Sequence, residues 1–88
     1  MNYELKDLPT MFRIYHAVEM EIEKFLSISA YAMKNKVHKI KSVESTLRAI
    51  EEYKKLPTAL RKKLEKDKTS NVSRIDEIEK MCRKTADD

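Results

Sequence analysis

Apolar residues recur at Met11, Tyr15, Val18, Ile22 and Phe25, in steps of four, three, four and three. One side of an α-helix requires this spacing, because 3.6 residues complete a turn. Ser29 and Ala32 continue the stripe with small side chains, and Ile14, Leu26, Ile28 and Met33 widen it. Arg13, Glu19, Glu21, Glu23 and Lys24 fall between them, on the wet side. The pattern predicts a first helix over about 10–35, with Asp7 or Thr10 as its cap and Pro9 in its first turn. At 1.5 Å per residue it extends about 39 Å, against a diameter of about 30 Å for a compact chain of this size. Such a helix predicts either an elongated hairpin or an end that meets another chain.

The stripe then slips. Ile40 and Leu47 stand one position off the earlier seven-residue register, which predicts a break at Asn35 to Ser42. A second helix follows over about 43–55, capped by Ser42, with Val43, Leu47, Ile50 and Tyr53 inward. The competing reading is one unbroken helix from Pro9 to Pro57, since no breaker stands between them. Pro57 ends the second helix, and a third over 58–66 turns Leu60 and Leu64 inward. Asp67 to Asn71 is polar. A fourth helix over about 72–83 carries Val72, Ile75, Ile78 and Cys82 on one stripe, with Asn71 or Ser73 as cap and Ser73–Asp76 as a shortened capping box. Residues 1–6 and 85–88 are expected to fray. The expected fold is all-α, a single domain built as a small helical bundle.

Composition agrees with that reading. Among 88 residues there is no glycine, whereas tight hairpins of sheet proteins draw on Asn-Gly, Asp-Gly and Gly-Gly turns. Cys82 is the single cysteine, so no internal disulfide can form and a reducing cytoplasm is expected. Glu4, Lys6 and Asp7 argue against a signal peptide. The uncharged run from Phe25 to Met33 is far below the ~20 residues that span a bilayer, so no membrane insertion is expected.

Charge adds the one asymmetry. The net charge is +4, but residues 34–68 hold twelve Lys/Arg against five Asp/Glu, while both flanking parts are slightly acidic. Lys34, Lys36, Lys39 and Lys41 supply four cations with no acid among them. Lys54, Lys55, Arg61, Lys62, Lys63 and Lys66 supply six more, against Glu65. Clusters of this kind neutralise phosphates and release counterions with little sequence preference. The ordinary alternative is a solvated lysine face or a protein-binding one. Tyr31 and Tyr53 do not make an aromatic array for stacking bases.

Other chemistry is thin. His16, Glu19 and Glu23 share one helical side and can in principle meet one metal ion, but bundle sites draw ligands from several helices; an exposed polar face is the preferred reading, and no metal or cofactor is expected. Cys82 with His38 lacks an orienting third group and oxyanion donors. No glycine-rich phosphate loop and no paired zinc motif occurs. An enzyme with a small-molecule substrate is not expected.

Leu60-Arg-Lys-Lys-Leu64 followed by Thr69-Ser-Asn-Val-Ser-Arg-Ile75 resembles the two halves of a helix-turn-helix over about sixteen residues. It departs from that pattern at Arg61, at Glu65 in place of the turn glycine, and by one extra residue between Leu64 and Val72. The resemblance implies Ser70, Asn71, Ser73 and Arg74 as major-groove residues.

Two functions follow as expectations. One is a small non-catalytic regulator or accessory protein whose basic segment 34–68 engages nucleic acid. The other is an adaptor or inhibitor, such as a phage-type modulator of a host protein complex, contacting its partner through Met11, Tyr15, Val18, Ile22, Phe25 and Leu26. In that second reading the lysines steer it to an acidic protein surface. Either reading admits a homodimer or a hetero-complex.

Overall fold

The computed structural model describes residues 5–31 and 36–87, with side-chain surroundings at 6–27 and 41–85. A short 3₁₀ turn, Leu5–Asp7, leads into α1, Leu8–Tyr31. Helix α2 is Lys36–Lys54, α3 is Thr58–Lys66, and a 3₁₀ turn at Asn71–Arg74 opens α4, Ile75–Asp87. Among the described residues there is no strand.

Helices α1 and α2 form an antiparallel hairpin. The Thr46 hydroxyl lies 3.3 Å from the Glu21 carbonyl, whereas in one unbroken helix those residues would stand about 38 Å apart. The continuous-helix alternative is thereby removed. The molecule measures 44 × 25 × 19 Å, so the length of α1 is accommodated as an elongated hairpin.

The apolar stripes meet as their spacing requires. Met11, Val18, Ile22 and Phe25 of α1 pack with Val43, Ile50 and Tyr53 of α2, with Leu56 beyond it, and with Val72, Ile75, Ile78 and Cys82 of the C-terminal segment. Leu60 and Leu64 of α3 lie partly buried against this core. Burying each Val or Ile side chain contributes roughly 1.5–3 kcal/mol.

Three boundaries differ from the sequence reading. Helix α2 begins at Lys36 rather than near Val43, so Lys36 to Lys41 form its first turns and not a connecting loop. Lysine is a good helix former, and the register slip does not correspond to a loop over 36–42, which are helical. Ser42 is consequently not a cap: it is buried inside α2 and its Oγ has no hydrogen-bond partner. Helix α4 is preceded by the 3₁₀ turn and continues to Asp87, past the expected end at 83. The expected positions of Ile28, Ser29, Ala32, Met33 and Asn35 on the first stripe or its end lie outside the described side chains.

The α2–α3 corner follows from its sequence. Pro57 supplies no N–H and sits at φ −55°, ψ 138°, immediately before α3. Lys55 N–H donates to the Glu52 carbonyl at 3.1 Å and Leu56 N–H to that of Tyr53 at 3.0 Å, tightening the last turn of α2. Arg61 then reaches back, its Nε donating to the Leu56 carbonyl at 3.2 Å.

Candidate functional site

Helix α3 has no buried residue. Its inner edge is Leu60 and Leu64, and one turn of its outer face carries Lys62, Lys63 and Lys66, all exposed. Its one acid, Glu65, turns inward and accepts a hydrogen bond from the Tyr53 hydroxyl at 3.1 Å. Burial first, and then the Glu65 charge and hydrogen bond, push the Tyr53 phenol well above its ordinary pKa. The result is an outward lysine triad whose two neighbouring acids are engaged elsewhere, Glu65 with Tyr53 and the exposed Asp67 with Thr69. Among the described residues none of the three lysines has an ion-pair partner.

The other nominated cations fare differently. Lys54 is paired with Glu79 of α4 at 2.9 Å and Lys55 with Glu52 at 3.1 Å. Arg61 is committed to the Leu56 carbonyl, with Thr58 Oγ1 at 3.5 Å from its Nη2. Lys41 is exposed on α2. Lys34 lies outside the described residues, and so do the side chains of Lys36 and Lys39. Along α2, Lys41 and Lys54 stand about 20 Å apart, with Glu44, Glu51 and Glu52 exposed between them. Among the described side chains of 34–68 the cations therefore do not form one continuous basic surface.

The helix-turn-helix resemblance does not survive its geometry. Glu19 of α1 fills the start of the C-terminal segment: its carboxylate accepts from Asn71 N–H at 2.8 and 3.1 Å and from Val72 N–H at 3.2 Å. Asn71 Nδ2 also donates to the Glu19 carbonyl at 3.0 Å. An acid at a helix start is favourable, since it meets unpaired N–H groups and the positive end of the dipole. Here it occupies the place a phosphate would take. Ser70 is buried, its hydroxyl 2.7 Å from the Asp67 carbonyl and 3.2 Å from that of Leu64. Ser73 donates to the Ser70 carbonyl at 2.7 Å instead of entering a capping box, and Arg74 pairs with Glu77 at 3.4 Å. Ser70, Asn71 and Ser73 are thus engaged within the chain, while Arg74 stays exposed with only a weak surface pair.

Glu19 is also the residue that helical spacing misplaced. It was grouped with His16 and Glu23 on a wet face, yet it is half-buried and accepts from the Tyr15 hydroxyl at 3.2 Å. Burial, with the Glu19 charge next, raises the Tyr15 phenol. No periodicity within α1 could locate a partner 52 positions away. Among the described residues no group of three or more His, Cys, Asp or Glu is placed to hold a metal ion. Cys82 is fully buried and its thiol is pushed up to about 11, chiefly by burial; the His38 side chain lies outside the described residues.

The six nominated interface residues serve this chain's own core. Met11, Val18, Ile22 and Phe25 are at most 4 % exposed, and Tyr15 and Leu26 are half-buried against them. Among the described residues that stripe faces inward. Among the described residues no helix is long and apolar enough to cross a membrane.

No protein family, no characterised protein and no solved structure matches this chain.

Proposed function

We propose that this is a non-catalytic helical binding protein that engages the nucleic-acid backbone through α3, with Lys62, Lys63 and Lys66 as its phosphate contacts. One observation carries the reading: these three lysines face outward together while Arg61 is tied to the α2 end and Glu65 to Tyr53. The contacts are electrostatic, so the expected binding is sequence-tolerant and salt-sensitive. Three phosphate contacts give a slope of about −2.7 in log affinity against log salt, or about a 40-fold loss between ~50 and ~200 mM. Fluorescence anisotropy with a random-sequence duplex tests it. Reversing all three charges (Lys62→Glu, Lys63→Glu, Lys66→Glu) should abolish binding with helicity unchanged, and no binding by the native chain at ~50 mM salt overturns the reading.

For the adaptor reading, whose expected residues are buried, α1 offers instead two residues outside that set, Phe12 and Met20, exposed at 43 % and 58 %. They stand eight positions apart on α1 and about 80° apart around it, so they do not make one patch, and isolated exposed hydrophobics are ordinary. A captured protein that survives nuclease treatment and is lost on Phe12→Asp would favour this reading over α3.

A further inference from the structure

A helical hairpin has two long grooves between its helices. The C-terminal segment covers one, through the Glu19–Asn71 contacts and the packing of α4 on α2. The other is not covered by any described residue and forms a groove of about 440 Å³ floored by Ile14, Ala17 and Ala49. Its rims carry Arg13 and Glu21 from α1 and Arg48 and Glu52 from α2.

The order of these charges is informative. Thr46 lies level with Glu21, and the helices are antiparallel, so Arg48 lies level with Glu19 and Glu52 with Tyr15. From the open end of the hairpin towards its tip the charges therefore run Arg13, Glu52, Arg48, Glu21, alternating in sign about a centre at Ala17 and Ala49. Reversed end to end, the same row presents an acid opposite each base. Among the described residues neither Arg13 nor Arg48 has an ion-pair partner in its own chain. Among the described residues the acids make weak local pairs, half-buried Glu21 with exposed Lys24 at 3.9 Å and exposed Glu52 with exposed Lys55 at 3.1 Å.

We propose that this groove takes a second copy of the same chain, related by a two-fold axis across the helices, so that Arg13 meets the partner's Glu21 and Arg48 meets the partner's Glu52. The small floor residues at the centre let the two hairpins approach closely, and a two-fold contact requires a surface complementary to itself. The two helices present roughly 17 × 20 Å here, less than the ~800 Å² per partner of a standard stable interface. The dimer is accordingly weak and concentration-dependent.

Sedimentation velocity from ~10 µM to ~1 mM at low salt tests it. The native mass should rise from the 10.4 kDa of one chain towards twice that value. Arg13→Glu with Arg48→Glu should stay monomeric, as should Glu21→Arg with Glu52→Arg, because each places like charges face to face. An equimolar mixture of these two variants should recover the dimer, since every facing pair is again opposite in sign. Circular dichroism at 222 nm reports that each variant is folded. A native chain that stays monomeric at ~1 mM, as it would if the groove took a helix of another protein, overturns the proposal; so does a mixture that fails to associate while both variants are folded. The groove shares no residue with the α3 triad, so this result and the duplex-binding result are separable.

Discussion

The α1–α2 hairpin places Val18, Ile22, Phe25, Val43, Ile50 and Tyr53 in the core, each at most 2 % exposed, whereas α3 places none there. Helix α3 touches the core through the partly buried Leu60 and Leu64, and it and the turn after it add polar contacts: Tyr53 to Glu65, Arg61 to the Leu56 carbonyl, Ser70 to the Asp67 and Leu64 carbonyls, and Asn71 and Val72 to Glu19. Apolar burial is non-directional and large, while a hydrogen bond adds only about 0.5–1.5 kcal/mol net and is costly when half of it is removed. Hence the two regions should fail in different ways, the hairpin through cavities and the α3 region through charge and pH.

The largest effect should come from the hairpin. Ile22→Ala or Ile50→Ala empties a fully buried site and should destabilise by about 2–5 kcal/mol, read from urea unfolding, with both regions lost together. A loss below ~1 kcal/mol would mean the hairpin does not carry the fold.

Next is Glu19→Ala. It strips the carboxylate from the Asn71 and Val72 amides, leaving part-buried donors unpaired, at about 1–3 kcal/mol. Amide hydrogen exchange should speed first at residues 71–74 while α1 and α2 stay protected. Uniform acceleration along the chain would contradict a cap that acts locally.

Tyr53→Phe should cost about 0.5–1.5 kcal/mol at neutral pH through the lost bond to Glu65. Its pH signature is more specific. The folded phenol has a raised pKa, so its contribution is fully present below the ordinary value near 10 and is lost as pH rises through the folded value. Native stability should fall above pH ~10, and the variant should lose part of that slope.

The smallest effect is at Asp67. The Thr69 hydroxyl at 2.6 Å, and then its amide at 3.0 Å, hold this carboxyl below its ordinary pKa. The turn is therefore ordered above the usual carboxylate value and loosens as pH falls through the lowered one. The Thr69 amide resonance should move over that acidic window and should not move in Asp67→Asn.

The same contrast explains what the sequence made legible. Val18, Ile22 and Phe25 declare themselves by spacing, and so do Ile75, Ile78 and Cys82; Pro57 marks the start of α3 at Thr58. Apolar burial is periodic, and periodicity is readable. Thr46 is fully buried, its hydroxyl 2.7 Å from the Ser42 carbonyl and reaching towards Glu21, yet a threonine between Ser45 and Leu47 carries no such signal. Glu19 and Glu65 belong by pattern to wet faces, but tertiary contacts turn them to Asn71 and Tyr53. Polar contacts between distant segments leave no period behind, and they decide which lysines remain outward.

If position rather than bulk charge makes α3 the proposed binding surface, two equal changes of charge should act differently. The most direct test compares duplex affinity for two triple reversals of equal charge, Lys62→Glu, Lys63→Glu, Lys66→Glu on α3 and Lys24→Glu, Lys80→Glu, Lys84→Glu at exposed sites elsewhere. At ~50 mM salt the α3 reversal should eliminate binding while the control retains it within a few-fold. Equal loss in both would show that net charge alone draws the duplex, and would contradict the account.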